Sequence, residues 1–256
     1  MIIRVTFELA VLLIGVGAWL IFTNRAKQGK IPKIRKIAGL EGLSELVGRA
    51  AEMGKTVHIA TGSQMLETSE APIVTAGYAM LGYIAKLCGK YGVKLRYTCT
   101  FGYNIAIGQD LIKAGYTAAG APGLYRDDMV YYAGDHQQAY SAAIMGYIMR
   151  ERPAANMMFG GIKYETINSL GAGAVAGCMQ AAGTPRWMYQ PFLVAACDYS
   201  MIGDELFAAV ALTTENPMEI GSIRGQDVIK VMALVLTAGT AVLALAGWNY
   251  IKVFGI

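Results

Sequence analysis

Small polar and ionisable side chains recur where short apolar runs of this sequence end, and these residue types are suited to binding phosphate groups. The candidates are Ser63, Asn104, His136, Asp198 and Ser200. Ser and Asn can cap a following helix whose free N–H groups hold an anion, and His136 beside Asp135 can act as a general base. We favour the ordinary turn chemistry that every such fold needs. The alternative is a nucleotide or phosphate pocket formed by these residues.

Five apolar runs alternate with helical patterns, and this alternation predicts the elements that position those residues. The predicted strands cover 56–61, 94–100, 128–133, 155–162 and 191–197, with a short last strand at 217–220. The predicted helices between them cover 71–91, 104–119, 136–150, 165–182 and 201–214. Continuous apolar strands are typical of a parallel sheet covered on both faces. The sequence therefore predicts an α/β fold with a doubly wound, mainly parallel, Rossmann-like sheet, whose ligands bind beyond the carboxyl ends of its strands.

The sequence motifs of familiar cofactor and metal sites are missing or misplaced. Neither Gly-x-Gly-x-x-Gly nor Gly-x-x-x-x-Gly-Lys-Ser/Thr follows the first predicted strand, and the similar run 171–177 lies inside a predicted helix. Two histidines without His-Glu-x-x-His, and four cysteines without Cys-x-x-Cys, make a metal site or a disulfide framework a poor expectation. We assign no catalytic residue, no metal ligand and no cofactor from the sequence.

An apolar stretch near the start of the chain predicts a membrane anchor. Val5–Phe22 holds eighteen residues with one charge, Glu8, and as a helix it spans roughly 27 Å, close to the hydrocarbon thickness of a bilayer. The cations that follow it without an intervening acid are Arg25, Lys27, Lys30, Lys33, Arg35 and Lys36. This order favours a retained helix over a cleaved signal peptide, and it places residue 25 onward in the cytoplasm. Glu8 lies either at the interface or at a functional position inside the membrane.

A second apolar stretch predicts that the chain returns to the membrane. Val231–Trp248 is eighteen residues without a charge, followed by Tyr250 as an aromatic anchor and by Lys252. A buried core helix is the alternative. The expected organisation is a membrane helix at 1–24, a basic connector at 25–36, a cytoplasmic α/β domain at 37–226 and a membrane helix at 227–256. Both termini then lie outside.

Composition and charge exclude some classes of protein. A mean hydropathy of +0.40 and 16% charged residues are too apolar for an ordinary soluble enzyme. Six of the 22 Lys and Arg lie in the basic connector, which leaves 16 against 18 Asp and Glu. The net charge of +4 is therefore a juxtamembrane feature that suits anionic lipid, and we expect no nucleic-acid partner.

Several longer motifs resemble those of a known family. They are Arg152–Asn156, Pro191–Tyr199, Ile202–Leu206 and Gly221–Asp227. They are similar to a prokaryotic, membrane-anchored family described only as a domain of unknown function, over about residues 40–230 and most strongly after 150. The resemblance implies the same anchored α/β domain and brings no activity with it.

The abundance of Tyr and Met favours self-association over catalysis. The chain holds 15 Tyr and 14 Met, residue types that suit subunit interfaces. The leading hypothesis is a membrane-anchored scaffold whose α/β domains form a homo-oligomer. The alternative is a degenerate Rossmann-like enzyme or sensor that binds a nucleotide or phosphate-type ligand through Ser63, Asn104, His136 and Asp198. A third hypothesis is an accessory subunit of a larger membrane complex.

Overall fold

The computed structural model describes residues 2–30, 32, 35–214 and 216–245, and the chain forms two compact units. The first unit combines the two ends of the chain, residues 1–34 and 215–256. The second unit is the continuous segment 35–214. The sequence-based domain boundary at residue 226 therefore lies inside the helix that belongs to the first unit, rather than at its start.

The second unit alternates strands and helices along its whole length. Its strands are β1 (Val57–Gly62), β2 (Leu95–Cys99), β3 (Val130–Tyr132), β4 (Ala155–Gly161), β5 (Met179–Thr184) and β6 (Tyr199–Ile202). Its helices are α2 (Ala38–Glu52), α3 (Ala71–Tyr91), α4 (Tyr103–Ala118), α5 (Gln137–Glu151), α6 (Glu165–Ala176), α7 (Gln190–Ala196) and α8 (Glu205–Thr214). Short 3₁₀ turns precede β3 at Pro122–Leu124 and Asp127–Met129.

The six strands form one parallel sheet, as predicted. Their order is β3-β2-β1-β4-β5-β6, and every neighbouring pair is parallel. The chain winds outward from β1 in one direction and then from β4 in the other, so the order reverses between these two central strands. Folds of this order bind ligands in the crevice beyond the carboxyl ends of the strands at that reversal.

Helices cover both faces of the sheet, which explains why most strand residues are apolar. On one face, Val57 and Ile59 of β1 belong to a core that also holds residues of α2, α3, α4 and α8. On the other face, Ala60 of β1 packs with Tyr140 of α5, Leu170 of α6 and Leu193 of α7. Successive strand residues point to opposite faces, so both sets must be apolar for the sheet to exclude water.

The fifth predicted strand was wrong. Residues 191–197 form α7 instead, and the strand at that point of the sheet is β5 (Met179–Thr184). Pro191 sits in the first turn of α7, where its missing N–H costs nothing. The predicted helix 165–182 ends at Ala176, because Gly177 adopts a left-handed conformation with φ +72°. Short apolar runs fit either a strand or a buried helix, and here the Gly- and Ala-rich run became the strand.

The end of the second unit also differs from the prediction. β6 (Tyr199–Ile202) occupies the start of the predicted helix 201–214, so α8 begins only at Glu205. The predicted short strand at 217–220 was wrong, because these residues form the first turn of α9 (Pro217–Leu245) in the first unit.

The first unit pairs α1 (Ile2–Lys27) with α9 through two glycines. A Cβ on Gly225 would lie 2.7 Å from the Trp19 Cα, and one on Gly221 would lie 2.8 Å from the Phe22 carbonyl oxygen. The indole Nε1 of Trp19 donates a hydrogen bond to Ser222 Oγ over 2.9 Å. Glycines four residues apart allow two helix backbones to approach closely, as in membrane helix pairs.

Three described helices are long and apolar enough to cross a membrane, by length and composition alone. They are Leu9–Lys27, Ala71–Tyr91 and Pro217–Val242. The second of these is α3, and half of its residues are buried inside the α/β unit. In the other two helices almost all residues are at least partly exposed. The expected aromatic anchors Trp248 and Tyr250 lie outside the described residues, as do Lys252 and the side chain of Glu8.

We predict that Gly225→Leu separates α1 from α9, because the new side chain has no space against the Trp19 backbone. Overpacking of this kind costs about 1–3 kcal/mol. The measurement is thermal unfolding in mild detergent, followed by the fluorescence of Trp19 in a variant without other tryptophans. The midpoint temperature of unfolding should fall by several degrees.

The matched control is Gly239→Leu on the same helix, where a Cβ meets nothing within 4 Å. It should unfold with the parent. Equal midpoints for the two leucine variants would contradict the close pairing.

Candidate functional site

A fully buried carboxylate, Glu165, occupies the crevice where the strand order reverses. Its Oε1 accepts hydrogen bonds from the Ser63 N–H (3.1 Å), the Ser63 Oγ (3.1 Å) and the Lys163 N–H (2.9 Å). Its Oε2 accepts one from Gln137 Nε2 over 2.5 Å. These donors come from the end of β1, the end of β4 and the start of α5. Glu165 opens α6, where the helix dipole favours a negative charge.

Glycines let the backbones close around this carboxylate. Gly62 at the end of β1 has φ +88°, and a Cβ there would lie 2.2 Å from the Gly161 carbonyl oxygen. Gly160 has φ +103°, and a Cβ there would lie 2.8 Å from the Gly77 Cα of α3. In dinucleotide-binding folds, glycines at this point admit the ligand's pyrophosphate. Here the space that the glycines leave is filled by the protein's own backbone.

Three of the five candidate residues follow the carboxyl ends of adjacent strands, as expected. Ser63 follows β1 and is engaged by Glu165. Asn104 is buried in the first turn of α4; its amide donates to the Thr100 carbonyl (2.6 Å), and its oxygen accepts from the Tyr78 hydroxyl. His136 immediately precedes α5, is exposed, and makes no capping hydrogen bond through its side chain. Two of the three side chains therefore have partners within the protein.

Asp198 and Ser200 lie elsewhere, because the strand expected before them is α7. Asp198 precedes β6, and its Oδ2 accepts from the Gln180 N–H over 2.7 Å near the start of β5. It is therefore at the amino edge of the sheet, opposite Ser63. Ser200 is the second residue of β6, and a Cβ on Gly39 of α2 would lie 2.9 Å from its carbonyl oxygen. These two residues do not join the other three in one pocket.

A row of polar side chains crosses four strands inside the sheet. The second residues of β2, β1, β4 and β5 are adjacent in register: Arg96, His58, Asn156 and Gln180. The His58 Nδ1 lies 2.8 Å from the Asn156 oxygen, and its Nε2 lies 3.0 Å from the Thr98 hydroxyl. Since the amide oxygen can only accept, Nδ1 carries the proton and Nε2 accepts from Thr98.

The row continues into the helices, and from His58 to Gln180 its hydrogen bonds are made within the fold, whereas the buried Nε of Arg96 has no partner among the described residues. The Asn156 amide donates to Ser169 Oγ (3.1 Å) and to Gln180 Oε1 (3.3 Å). The Gln180 amide in turn donates to the carbonyls of Leu170 and Ala196, both at 3.1 Å. A satisfied buried network holds strands and helices in one register. This chemistry is structural.

Burial keeps His58 neutral. Desolvation lowers its pKa from 6.5 to about 4, against an opposing effect of the hydrogen bond to Asn156, and the nearby Arg96 charge lowers it further. The cysteine thiols are held protonated in the same way. Burial raises the pKa of both Cys99 and Cys197 to about 12, so neither is a thiolate nucleophile at neutral pH.

The described residues contain no group of three or more His, Cys, Asp or Glu that could hold a metal ion. Within the same part of the chain, no Lys, Arg or His pairs with Glu165. At the reversal point, the Glu165 carboxyl group thus accepts hydrogen bonds from four neutral donors. Chemically, it occupies the position and the N–H groups that a ligand's phosphate would use.

Sequence reasoning overlooked Glu165, Gln137 and the polar row as site residues. The signal for the row was present: one polar residue stands second in each of four apolar strands. The signal for Glu165 was weaker, namely a lone acid opening a helix after a Gly-Gly strand end. Only the strand order brings it to the reversal point.

Comparison with protein families matches residues 2–254 to a family described as a domain of unknown function, DUF6754. No curated protein and no solved structure matches the chain.

We predict that Glu165→Ala destabilises the protein by about 3 kcal/mol or more, because it leaves several buried donors without an acceptor. Urea unfolding of the full chain in mild detergent, followed by circular dichroism, measures the loss. The control Glu41→Ala removes an exposed acid from the first turn of α2 and should cost less than about 1 kcal/mol. Equal stability of the two variants would contradict a structural role of Glu165.

His58 should make stability depend on pH. Its pKa is about 4 in the folded protein and 6.5 when unfolded, so the unfolded chain binds more protons between these values. The stabilisation is fully present above pH 6.5 and is lost as pH falls toward 4, by up to about 3 kcal/mol. Unfolding midpoints in urea measured across this range give the slope.

The variant His58→Gln should flatten that slope, whatever its stability at neutral pH. The control His136→Gln replaces the other histidine at an exposed position and should retain the slope of the parent. A parent slope that persists in His58→Gln would show that other groups cause the pH dependence.

Proposed function

We propose a function from the site itself, because the chain belongs to the family DUF6754, whose description assigns no activity. The protein is a membrane-anchored scaffold. Two apolar helices hold an α/β domain of Rossmann-like form at the bilayer, and the domains associate into a homo-oligomer. The domain uses its sheet as a rigid platform for assembly.

The observation that carries this proposal is the occupied crevice. In a ligand-binding fold of this strand order, free N–H groups at the reversal point receive an anionic ligand. Here the N–H groups of Ser63 and Lys163 already bind Glu165, and displacing a buried carboxylate without a replacement partner is costly. An internal anion at this position supports a structural use of the fold over a catalytic one.

The first unit supports the anchoring part of the proposal. Leu9–Lys27 and Pro217–Val242 each contain an apolar window of membrane-spanning length that is almost entirely exposed, and exposed apolar surface is unfavourable in water but favourable in lipid. Arg25 and Lys27 in the last turn of α1 have the charge expected of a cytoplasmic end. In the proposed orientation the α/β domain faces the cytoplasm.

A second candidate function is a sensor or enzyme that binds a phosphate-type ligand at the carboxyl edge. Two buried hydroxyls favour it, those of Thr100 after β2 and Thr166 in the first turn of α6, because neither has a hydrogen-bond partner. A ligand at this edge would supply one. If the protein is such a sensor or enzyme, Ser63, Asn104 and His136 line its ligand site.

The deciding experiment is native mass spectrometry of the full chain extracted in mild detergent. We expect a discrete multiple of 27.4 kDa without additional mass, because the α/β domains associate with one another. The same measurement on the denatured protein gives the mass of the single chain.

A monomer would overturn the scaffold proposal. If that monomer carries a reproducible small-molecule adduct, the sensor or enzyme replaces it, and the adduct mass identifies the ligand class. Stable association with other proteins in fixed ratio would instead identify an accessory subunit of a larger membrane complex.

A further inference from the structure

One helical layer of the α/β unit presents a surface without charges. We call the residues 137–149 of α5, 166–176 of α6 and 187–196 around α7 the uncharged layer, because they contain no Asp, Glu, Lys or Arg. These helices share one core on the same face of the sheet. The sequence separates the three segments; the fold places them side by side.

Large apolar side chains of the uncharged layer are exposed. Trp187 is 77% exposed, Val175 74% and Val194 58%. Others in the layer that are also exposed are Met145, Met149, Ile167, Met188 and Phe192. Between them lie small exposed residues such as Ala142 and Gly171. Contiguous apolar surface of this kind on a folded domain marks an interaction site.

The opposite layer of the same unit shows what a solvated helix surface looks like in this chain. α2 carries Glu41, Glu45 and Arg49, and the last two form an ion pair at 2.5 Å. α3 and α4 carry Lys86 and Asp110. The absence of charge from residues 137–149, 166–176 and 187–196 is therefore a property of one layer, not of the composition of the whole domain; the exposed Arg150 and Glu151 of α5 lie at its border.

The absence of charge makes the layer compatible with a second copy of this chain. In a twofold interface each patch faces itself, so a patch of one sign repels its own copy, whereas an uncharged patch does not. A helix surface that lies on lipid normally carries Lys or Arg on its polar side to meet anionic headgroups. At the border of the uncharged layer, Arg150 is followed by Glu151, and Arg186 pairs with Glu70, so the border carries both signs of charge and not a row of cations. A protein surface fits such a patch better than a bilayer does.

The size of the layer suits a stable dimer contact. Helices of 15, 12 and 7 residues are roughly 22, 18 and 10 Å long and about 10 Å wide. Side by side they present roughly 500 Å² in projection, of the same order as the ~800 Å² of accessible surface that each partner contributes to a typical interface. The exposed Trp187 and Phe192 supply the aromatic anchors that such contacts favour.

We propose that the uncharged layer is the surface through which two copies of this chain bind each other. This rests on the proposed self-association and identifies where it occurs. The contact packs α5, α6 and α7 of one copy against the same helices of the other. It leaves the charged layer of α2, α3 and α4 facing solvent.

The test introduces charge into the layer of the full chain in mild detergent, with mass measured by light scattering. The double variant Val175→Glu, Val194→Glu should weaken self-association roughly 100-fold or more, because like charges then face each other without solvent. Two single variants that carry the same Ala→Glu change give the matched control. Ala174→Glu, on an exposed position of α6, should also dissociate the assembly, whereas Ala114→Glu, on an exposed position of α4, should not.

The outcomes separate this proposal from the one on which it rests. A monomeric parent protein overturns self-association itself. An oligomeric parent whose mass is unchanged in Val175→Glu, Val194→Glu, with circular dichroism showing a folded chain, overturns the surface alone. In a variant whose only tryptophan is Trp187, quenching of its fluorescence by brominated lipid would assign the layer to the bilayer and overturn the protein contact.

Discussion

The buried Glu165 carboxylate is the constraint on which the centre of the α/β unit depends. An anion removed from water must be surrounded by donors, and its donors come from Ser63, Lys163 and Gln137, on three segments that are remote in sequence. Satisfying it therefore fixes the ends of β1 and β4 and the start of α5 together. The glycines at the same strand ends allow the backbones to close around it. The crevice that other folds of this strand order leave open for a ligand is thus part of the protein's own packing.

The polar and apolar chemistry of this domain is arranged in an unusual way. Polar side chains, from His58 to Gln180, cross the interior of the sheet and are satisfied there, while an outer helical layer is apolar and uncharged. An ordinary soluble enzyme presents polar groups in an open cleft and covers its outside with charge. Interior polar groups that hold register, together with an uncharged, apolar outer layer, are the two features on which the proposal of self-association depends.

The sequence located correctly those strands that are followed along the chain by a clear turn and a helical pattern. β1, β2 and β4 are apolar runs that end at Gly or Cys before a helical pattern, and β3 lies inside the predicted run 128–133, so their local signal agrees with their place in the sheet. The sequence predicted a helix where β5 lies and a strand where α7 lies. The reason is that Met179–Thr184 is rich in Ala and Gly, whereas Gln190–Ala196 is rich in larger apolar residues. The packing explains the outcome. A Cβ on Gly183 of β5 would lie 2.9 Å from the Phe159 ring of β4, so the strand beside β4 must be made of small residues.

The sequence by itself determined the class of fold, the parallel sheet, the two terminal helices of membrane-spanning length and the positions of Ser63, Asn104 and His136 at the ends of strands. These depend on periodicity and composition within short windows, because a helix or strand must bury its own apolar face. Only the tertiary structure decided that Ser63 meets Glu165, that Asp198 lies at the opposite edge, and that three separate uncharged segments form one surface. These features depend on strand order and register, which arise from contacts between residues far apart in the chain, and no local pattern encodes them.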